Sequence, residues 1–447
     1  MKMKSSKILF LILFLVFILA GSYLTLLSQG FVFDVEKFQI LKTGAIFLSF
    51  EPRDAKIMIN GKIQKASPSI FNNYVLIDRL LPNYYEITLS KENFRQWQKK
   101  VIVEPGLVKE FQKINLIPTE IKTTPINNLK NIDDFAISEK GIIYKKANKL
   151  FYNENILKGE KIITVDPRSS IIITSDKKDI YFLNQLNNLK SALNLNELFN
   201  SLKQSQLNLL GRVTIKKIWL HPFNPSKIIL ATDAALYELD TKKIKLQLLL
   251  FFENKITADF LNQNEIIFAD TKGNLIFYNF LFRNRTIHPT ELDANILKIE
   301  ANNNSIGLLT EKGDFLIYNR SKNEIIETPF KKVKSFIFTP DGQYIIILDE
   351  NEKVKIFSLT KNKFWKLSLP PSEIKKITPL PYLSNYMLTL IGNNLILSEI
   401  QSGYPTNWYL IVKSVKKYQI QNKNLYVLKE NGELLTFPPL LSSSGFP

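Results

Sequence analysis

The stretch Val333–Leu369 reads VKSFIFTPDGQYIIILDENEKVKIFSLTKNKFWKLSL and contains β-strand patterns separated by polar turns. It opens on Val333–Phe338, where apolar and polar side chains alternate as in a half-buried strand. After the turn signal Asp341-Gly342, the run Tyr344–Leu348 is apolar throughout, as expected of a strand with both faces covered. The stretch therefore predicts one small antiparallel sheet of about four strands.

The same pattern recurs along the C-terminal two-thirds of the chain. The other clear copies are Thr214–Leu250, Ile256–His288 and Ile296–Thr328, and the weaker ones are Ile132–Lys158, Ile162–Leu183 with an insert, Ile374–Val412 and Val415–Phe437. Four strands in about 40 residues is the sequence signature of a β-propeller, and we expect seven or eight blades over residues 119–440. The last copy lacks an outer strand, which Glu120–Ile126 is positioned to supply, closing the ring.

Two turns within these copies resemble turns of known propellers. The residues Phe338-Thr339-Pro340-Asp341-Gly342 resemble a turn of WD40-like propellers, and Trp219-Leu220-His221-Pro222 resembles a second common propeller turn. The Trp-Asp dipeptide itself is absent, so the resemblance is to WD40-like propellers in general. Both His221 and His288 precede a proline, and we expect both to be structural.

An insert at residues 186–210 interrupts the second copy. Asn194 and Glu197 have the spacing of a helix N-cap and its capping box. On the helix that this predicts, one face carries Leu195, Leu198, Phe199 and Leu202. The face is either a docking surface for a partner or the side that packs against the propeller wall.

The N-terminus has the composition of a membrane anchor. A basic tail, residues 1–7, contains Lys2, Lys4 and Lys7, and residues 8–27 follow with no charge. A helix of about 20 apolar residues spans the hydrocarbon core of a bilayer. A cleaved signal peptide is the competing interpretation, but its apolar region is usually shorter. The flanking lysines predict a single-pass protein of the cell membrane, with a cytoplasmic N-terminus and the bulk of the chain extracytoplasmic.

Residues 44–118 have a different pattern, with about six short strands separated by turns, including Asn60-Gly61 and Pro105-Gly106. This density of strands predicts a small antiparallel β-sandwich. The stretch also resembles the PEGA domain in the order and spacing of its motif positions. The matching residues are Pro52, Ala55, Asn60, Gly61, Pro68, Pro82, Tyr85, Phe94, Trp97 and Gly106.

The chain departs from the PEGA pattern at Arg53 and Asp54, and at Asn83 and Asn93, where glycine is usual. Asparagine tolerates the left-handed backbone that glycine supplies, so the turns are preserved. The resemblance implies an extracytoplasmic module of envelope or surface proteins, without catalysis. Its aromatic residues Phe94 and Trp97 either stack on sugar rings or, as we expect, fill the core.

Composition narrows the functional classes. The 447 residues include no cysteine and two histidines, which excludes disulfides, thiolate catalysis and cysteine-ligated metals. No nucleotide-binding, hydrolase or metalloprotease motif is present, so the sequence predicts no catalytic, cofactor-binding or metal residues. The net charge of +18 indicates either compositional bias or a basic surface for an acidic partner.

Together these features predict an all-β protein with one N-terminal transmembrane helix, a PEGA-like sandwich, a propeller and a short tail at residues 441–447. The main hypothesis is a non-enzymatic envelope protein whose sandwich acts as a stalk and whose propeller binds a protein or an acidic glycan polymer of the wall. One alternative is an envelope glycan hydrolase or lyase with paired carboxylates at the propeller channel. The other, which the predicted topology disfavours, is a membrane-tethered protein that binds nucleic acid.

Overall fold

The protein is described from a computed structural model. The described residues are 5–440 without 35–37, 65–73, 127–128, 153, 167–170, 185–191, 222–223, 253–256, 263, 271–272, 291, 293 and 303–304. The chain divides into two compact units: unit 1 holds residues 1–121, 398–409 and 441–447, and unit 2 holds residues 122–397 and 410–440. Lys2, Lys4, Pro68 and the predicted tail lie outside the described residues.

Unit 1 begins with the helix α1 (Ser5–Ser28), whose sequence is apolar on all sides. Within it, Leu9–Ser28 is long and apolar enough to cross a membrane, and none of this span is buried against the protein. These properties fit a single-pass anchor or a signal sequence. A short antiparallel hairpin, β1 (Phe31–Asp34) and β2 (Gln39–Lys42), follows the helix.

Two facing sheets form the rest of unit 1. One sheet has the order β6-β3-β9 and the other β5-β4-β7-β8. Their strands are β3 (Gly44–Glu51), β4 (Lys56–Ile59), β5 (Lys62–Gln64), β6 (Val75–Leu80), β7 (Asn83–Ser90), β8 (Trp97–Val103) and β9 (Val108–Asn115). The prediction of a purely antiparallel sandwich was wrong, because β3 and β9 pair in parallel. After β8 the chain crosses from the second sheet to the first. There β9 runs beside β3 in the same direction.

The core of unit 1 lies between these two sheets. Trp97 is fully buried there, and its ring meets the edge of the Phe111 ring with 5.5 Å between centroids. Phe94 is half-buried and packs against the same apolar cluster. Trp97 is therefore a core residue, and sugar stacking on it is excluded in this fold.

A buried ion pair lies beside Trp97. The Lys99 ammonium is 3.4 Å from a carboxylate oxygen of Glu399, and both side chains are almost completely buried. The same oxygen accepts hydrogen bonds from the Trp97 indole and the Asn407 amide, each at 2.9 Å. The chain segment 398–409 thus supplies the carboxylate that compensates a buried lysine of β8.

Removing the negative charge is expected to destabilise unit 1. In Glu399→Gln the amide oxygen still accepts from Trp97, but the Lys99 charge is left uncompensated, which costs about 3–5 kcal/mol. The double variant Glu399→Gln/Lys99→Met should recover most of that loss, because no unpaired buried charge remains. Chemical unfolding of the detergent-solubilised chain measures the stability of both variants. Equal free energies of unfolding for the wild type and Glu399→Gln would contradict the role given to the Lys99–Glu399 ion pair.

In its described residues unit 2 is built from eight four-stranded sheets, and residues 398–399 and 408–409, at the ends of two strands of one sheet, belong to unit 1. The strand β10 (Thr124–Pro125) precedes these sheets. Sheet 1 is β11 (Asp134–Ser138), β12 (Gly141–Lys146), β13 (Lys149–Tyr152) and β14 (Asn155–Leu157); sheet 2 is β15 (Lys161–Val165), β16 (Ile171–Ser175), β17 (Ile180–Asn184) and β18 (Leu193–Asn194). Sheet 3 is β19 (Lys217–Leu220), β20 (Lys227–Ala231), β21 (Ala235–Asp240) and β22 (Lys245–Phe251); sheet 4 is β23 (Thr257–Asn262), β24 (Glu265–Ala269), β25 (Leu275–Asn279) and β26 (Asn284–His288).

The remaining four sheets continue the pattern. Sheet 5 is β27 (Ile296–Asn302), β28 (Ser305–Thr310), β29 (Phe315–Asn319) and β30 (Glu324–Glu327); sheet 6 is β31 (Val333–Phe338), β32 (Tyr344–Asp349), β33 (Val354–Ser358) and β34 (Lys363–Lys366). Sheet 7 is β35 (Ile374–Leu380), β36 (Leu383–Ile391), β37 (Asn394–Glu399) and β38 (Trp408–Val412); sheet 8 is β39 (Val415–Gln421), β40 (Asn424–Lys429), β41 (Leu434–Phe437) and β10. The predicted β-rich repeats are confirmed.

The sheets stack in chain order and form a propeller-like fold. Apolar clusters fill the spaces between neighbouring sheets. The pairs of sheets joined in this way are 8 and 1, 1 and 2, 2 and 3, 3 and 4, 4 and 5, and 5 and 6. The second strand of each sheet is covered on both faces, as in Ile345–Leu348 of β32. This burial is why those strands are continuously apolar in sequence.

Strand β10 supplies the outer strand that sheet 8 lacks. Thr124 pairs with Thr436 and Pro125 with Leu435, and the Ile126 amide donates to the Leu434 carbonyl at 3.0 Å. The prediction that Glu120–Ile126 completes the last copy is confirmed. The sheet therefore joins strands from the two ends of unit 2.

The insert forms the helix α2 (Leu195–Leu207), capped by Asn194, whose side chain accepts from the amides of Asn196 and Glu197. Leu195, Phe199 and Leu202 are buried, and Leu198 is partly buried in the same cluster. The Phe199 ring meets the edge of the Tyr237 ring at 4.9 Å between centroids. The apolar face packs against the chain's own sheets 2 and 3, so it is not an exposed docking surface.

Candidate functional site

The first strands of the sheets lie beside one another, and lysines on them reach across to the next sheet. The Lys298 ammonium lies 4.4 Å from the centre of the Phe336 ring, Lys376 lies 4.6 Å from that of Tyr418, and Lys417 lies 5.6 Å from that of Phe135. These are cation–π contacts between sheets 5 and 6, 7 and 8, and 8 and 1. Three lysines therefore have the same role at three junctions between neighbouring sheets.

A second set of side chains clamps the backbone of the next first strand. Asp259 accepts from the Ala301 amide at 2.8 Å, and Glu300 accepts from the Phe338 amide at 2.8 Å. Gln419 makes two such bonds, accepting from the Ile137 amide at 3.0 Å and donating to the Ile137 carbonyl at 2.9 Å. Each clamp gives hydrogen-bond partners to backbone groups of the next first strand, on the edge that is not paired with that strand's own sheet.

A cavity of about 550 Å³, named here the aromatic pocket, lies among the first strands of sheets 2 to 5. It is lined by Thr164, Val165, Asp166, Ile218, Trp219, Leu220, His221, Asp259, Phe260, Leu261 and Ala301. His221 is buried, its Nδ1 accepts from the Asn224 amide at 3.0 Å, and its ring packs on Phe260. These contacts give His221 a structural role.

Asp259 is a carboxyl of the aromatic pocket whose pKa is raised. Burial raises its pKa, and the nearby Glu300 carboxylate adds to the effect, while the Ala301 and Phe260 amides act in the opposite direction. Both of its oxygens are committed, one to the Phe260 amide at 2.9 Å and the other to Ala301. Because Glu300 and Gln419 hold the neighbouring sheet in the same way, Asp259 belongs to the clamps.

A second cavity of about 450 Å³, named here the basic pocket, lies at the junction of sheets 8, 1 and 2. It is lined by Asp133, Asp134, Lys145, Lys161, Lys416 and Lys417, a net charge of +2. Lys417 is paired with Asp134 at 2.6 Å. The pKa of Lys376, which is close to this pair, is lowered chiefly by partial burial and further by the Lys417 charge. The pocket can therefore attract an anion.

The PEGA-like positions occupy turns and the core of unit 1. Asn60, Gly61 and Gly106 have positive φ angles of 49°, 75° and 71°, as their turns require. Ala55 is buried in the core, and Tyr85 donates to the Leu81 carbonyl at 2.9 Å. Pro52 lies in the turn after β3, and Pro82 lies just before β7. Lys7 lies on α1.

The grouping of the lysines was not predicted, because the lysines are scattered along the sequence. One sequence signal points to this grouping. A triplet of Ile or Val, then Lys, then Lys or Ser recurs at the start of first strands. The triplets are Ile215-Lys216-Lys217, Val333-Lys334-Ser335, Ile374-Lys375-Lys376 and Val415-Lys416-Lys417. Among the described residues no cluster of histidine, aspartate and glutamate has the make-up of a metal site.

Comparison with known proteins assigns no family. No family model and no curated protein matches the chain. Among solved structures, the computationally designed Ika8 protein is 11% identical, with 69% of this chain and 96% of that chain covered and a TM-score of 0.49. BamB from Moraxella catarrhalis is 10% identical, covering 72% and 97% at a TM-score of 0.42. Hsv2 from Kluyveromyces lactis is 8% identical, covering 63% and 98% at 0.45.

The clamps predict a stability loss at Asp259. Asp259→Ala leaves the partly buried Ala301 and Phe260 amides without their acceptor, and we expect a loss of about 1–3 kcal/mol in the free energy of unfolding. The control Asp233→Ala removes an exposed aspartate that is ion-paired with Lys216, and should change stability by less than about 1 kcal/mol. Denaturant unfolding of both variants checks the prediction; equal effects would contradict it.

Proposed function

We propose that the protein is a membrane-anchored, non-enzymatic protein of the cell envelope that binds an acidic polymer or an acidic protein partner. The observation that carries the proposal is the basic pocket on a propeller-like unit of a chain that begins with an apolar, unburied helix. The lysines before and within the first turn of that helix, Lys2, Lys4 and Lys7, favour a cytoplasmic N-terminus and an extracytoplasmic position for the bulk of the chain. In this account α1 is retained as an anchor.

We further propose that unit 2 is a closed eight-bladed β-propeller, each sheet being one blade. Support comes from the eight four-stranded sheets in chain order and from β10, which completes sheet 8. The Gln419 clamp on Ile137 also joins the first strand of sheet 8 to that of sheet 1. Rigid propellers present recognition residues on broad faces, which suits a binding role.

Unit 1 is proposed to be a PEGA-like module. Its two facing sheets, the turn positions Asn60-Gly61 and Gly106, and the buried Trp97 support this assignment. A module of this kind contributes no catalytic group and follows the anchor directly in sequence. Its role would be that of a stalk domain in an envelope protein.

A glycan hydrolase or lyase is the second candidate, favoured by the aromatic pocket, which brings together Asp166, Asp259 and Trp219. Such an enzyme needs one carboxyl that is free to donate a proton and another that acts as base or nucleophile. Asp259 does not meet this requirement, because both of its oxygens hold backbone amides. The binding function is therefore the better-supported one.

Protease treatment of intact cells tests the proposed topology. With an epitope tag placed after Pro447, external protease should remove the tag from intact cells while a cytoplasmic control protein stays intact. Persistence of the tag in cells whose outer layers have been made permeable, followed by its loss after lysis, would place unit 2 in the cytoplasm. That result would overturn the envelope assignment and favour the nucleic-acid alternative.

A further inference from the structure

We propose that the basic pocket binds a phosphate group of a phosphodiester polymer, with Lys145, Lys161 and Lys416 as the residues that contact it. This inference rests on the proposed function and identifies its ligand class and site. The three lysines come from β12 of sheet 1, the start of β15 in sheet 2, and β39 of sheet 8. Three successive sheets thus direct positive charge to one cavity of about 450 Å³.

The strongest argument comes from comparing Lys416 with its counterparts. Lys416 occupies the β-bulge at the start of β39, and Lys334 and Lys375 occupy the same bulge in β31 and β35. Lys334 is ion-paired with Glu352, and Lys375 donates to the Asn393 side chain at 2.6 Å. In each case the partner lies in the turn after the second strand of the same sheet.

Sheet 8 breaks this pattern. The corresponding turn holds Glu430, Asn431 and Glu433, and each of these side chains is bonded elsewhere. Glu430 accepts a hydrogen bond from the Asn393 side-chain amide of sheet 7, Asn431 accepts from the Glu433 backbone amide, and Glu433 is ion-paired with Lys429. Within the part of the chain that the structure describes, the Lys416 ammonium has no hydrogen-bond or ion-pair partner, and the same holds for Lys145 and Lys161. The unneutralised lysines of the pocket are therefore the groups available to a ligand.

The chemistry of the pocket favours phosphate over carboxylate. Planar carboxylates are recognised best by the fork of an arginine guanidinium, and no arginine is among the described residues that line the basic pocket. Lysine ammonium groups act as point charges on flexible stems and can converge on the oxygens of a tetrahedral phosphate. The cavity is far larger than a free phosphate ion, and so leaves space for the groups esterified to it.

The two aspartates of the pocket have different roles in this account. Asp134 is neutralised by Lys417 at 2.6 Å. Asp133 is exposed at the rim of the pocket, where its negative charge opposes an incoming anion. Removing the Asp133 charge should therefore strengthen anion binding, so this variant tests the proposal by an expected increase in affinity.

The experiment measures binding of a glycerol phosphate oligomer to the full chain in uncharged detergent by titration calorimetry. We expect Lys161→Gln/Lys416→Gln to weaken binding about tenfold or more, since each contact is a charge-assisted hydrogen bond. Asp133→Asn should tighten binding about twofold to fivefold. The matched control Lys216→Gln/Lys334→Gln removes two lysines that are already ion-paired outside the pocket, and should leave the affinity within about twofold.

The outcomes separate the site from the function. Equal binding by the wild type and Lys161→Gln/Lys416→Gln would overturn the pocket while leaving a polymer-binding envelope protein in place. Failure of the wild type to bind the oligomer would overturn the phosphate assignment, whatever the protease treatment shows. Competition by a polyuronate as strong as that by the oligomer would assign the pocket to carboxylates, and exclusive binding of anionic phospholipid vesicles would assign it to lipid headgroups; either result would overturn the proposal.

Discussion

The backbone groups on the unpaired edge of the first strands constrain how neighbouring sheets of unit 2 pack, as three junctions show. In the described residues each sheet of unit 2 has four strands, so a first strand pairs along one edge only and no fifth strand covers its other edge. Asp259, Glu300 and Gln419 solve this problem by bonding to backbone groups of the next sheet. Side chains thus replace a strand, and they fix the spacing between neighbouring sheets because each clamp has a definite length.

The same constraint explains why charge collects around the first strands. The side chains that clamp a neighbour must be polar, and the lysines beside them neutralise the acids or lie on aromatic rings, as Lys298 does with Glu300 and Phe336. Most of the charged side chains around the first strands take part in these structural contacts. At the junction of sheets 8, 1 and 2, three lysines have no such structural partner among the described residues: Lys145, Lys161 and Lys416. The proposed binding function depends on their positive charge.

Much of the fold was predictable from local patterns. The strand repeats, the Asn194 cap and the strand supplied by Glu120–Ile126 all follow from short-range periodicity and turn chemistry. The parallel pairing of β3 and β9 did not, because it depends on where the chain crosses between sheets. The basic pocket was not predicted for a related reason. Its lysines Lys145, Lys161 and Lys416 are far apart in sequence, and they come together because sheet 1 packs against both sheet 8 and sheet 2.

We expect the sheets to close into a ring through β10 and β41, and the absence of native cysteine makes this closure directly testable. In the double variant Thr124→Cys/Thr436→Cys, a short bis-maleimide reagent should join the two positions within one chain, detected as a mobility change and by mass spectrometry. The pair Thr124→Cys/Ser321→Cys, with its second cysteine in sheet 5, should not be joined. Absence of the first cross-link, with both cysteines reactive towards a monofunctional maleimide, would contradict the closed ring.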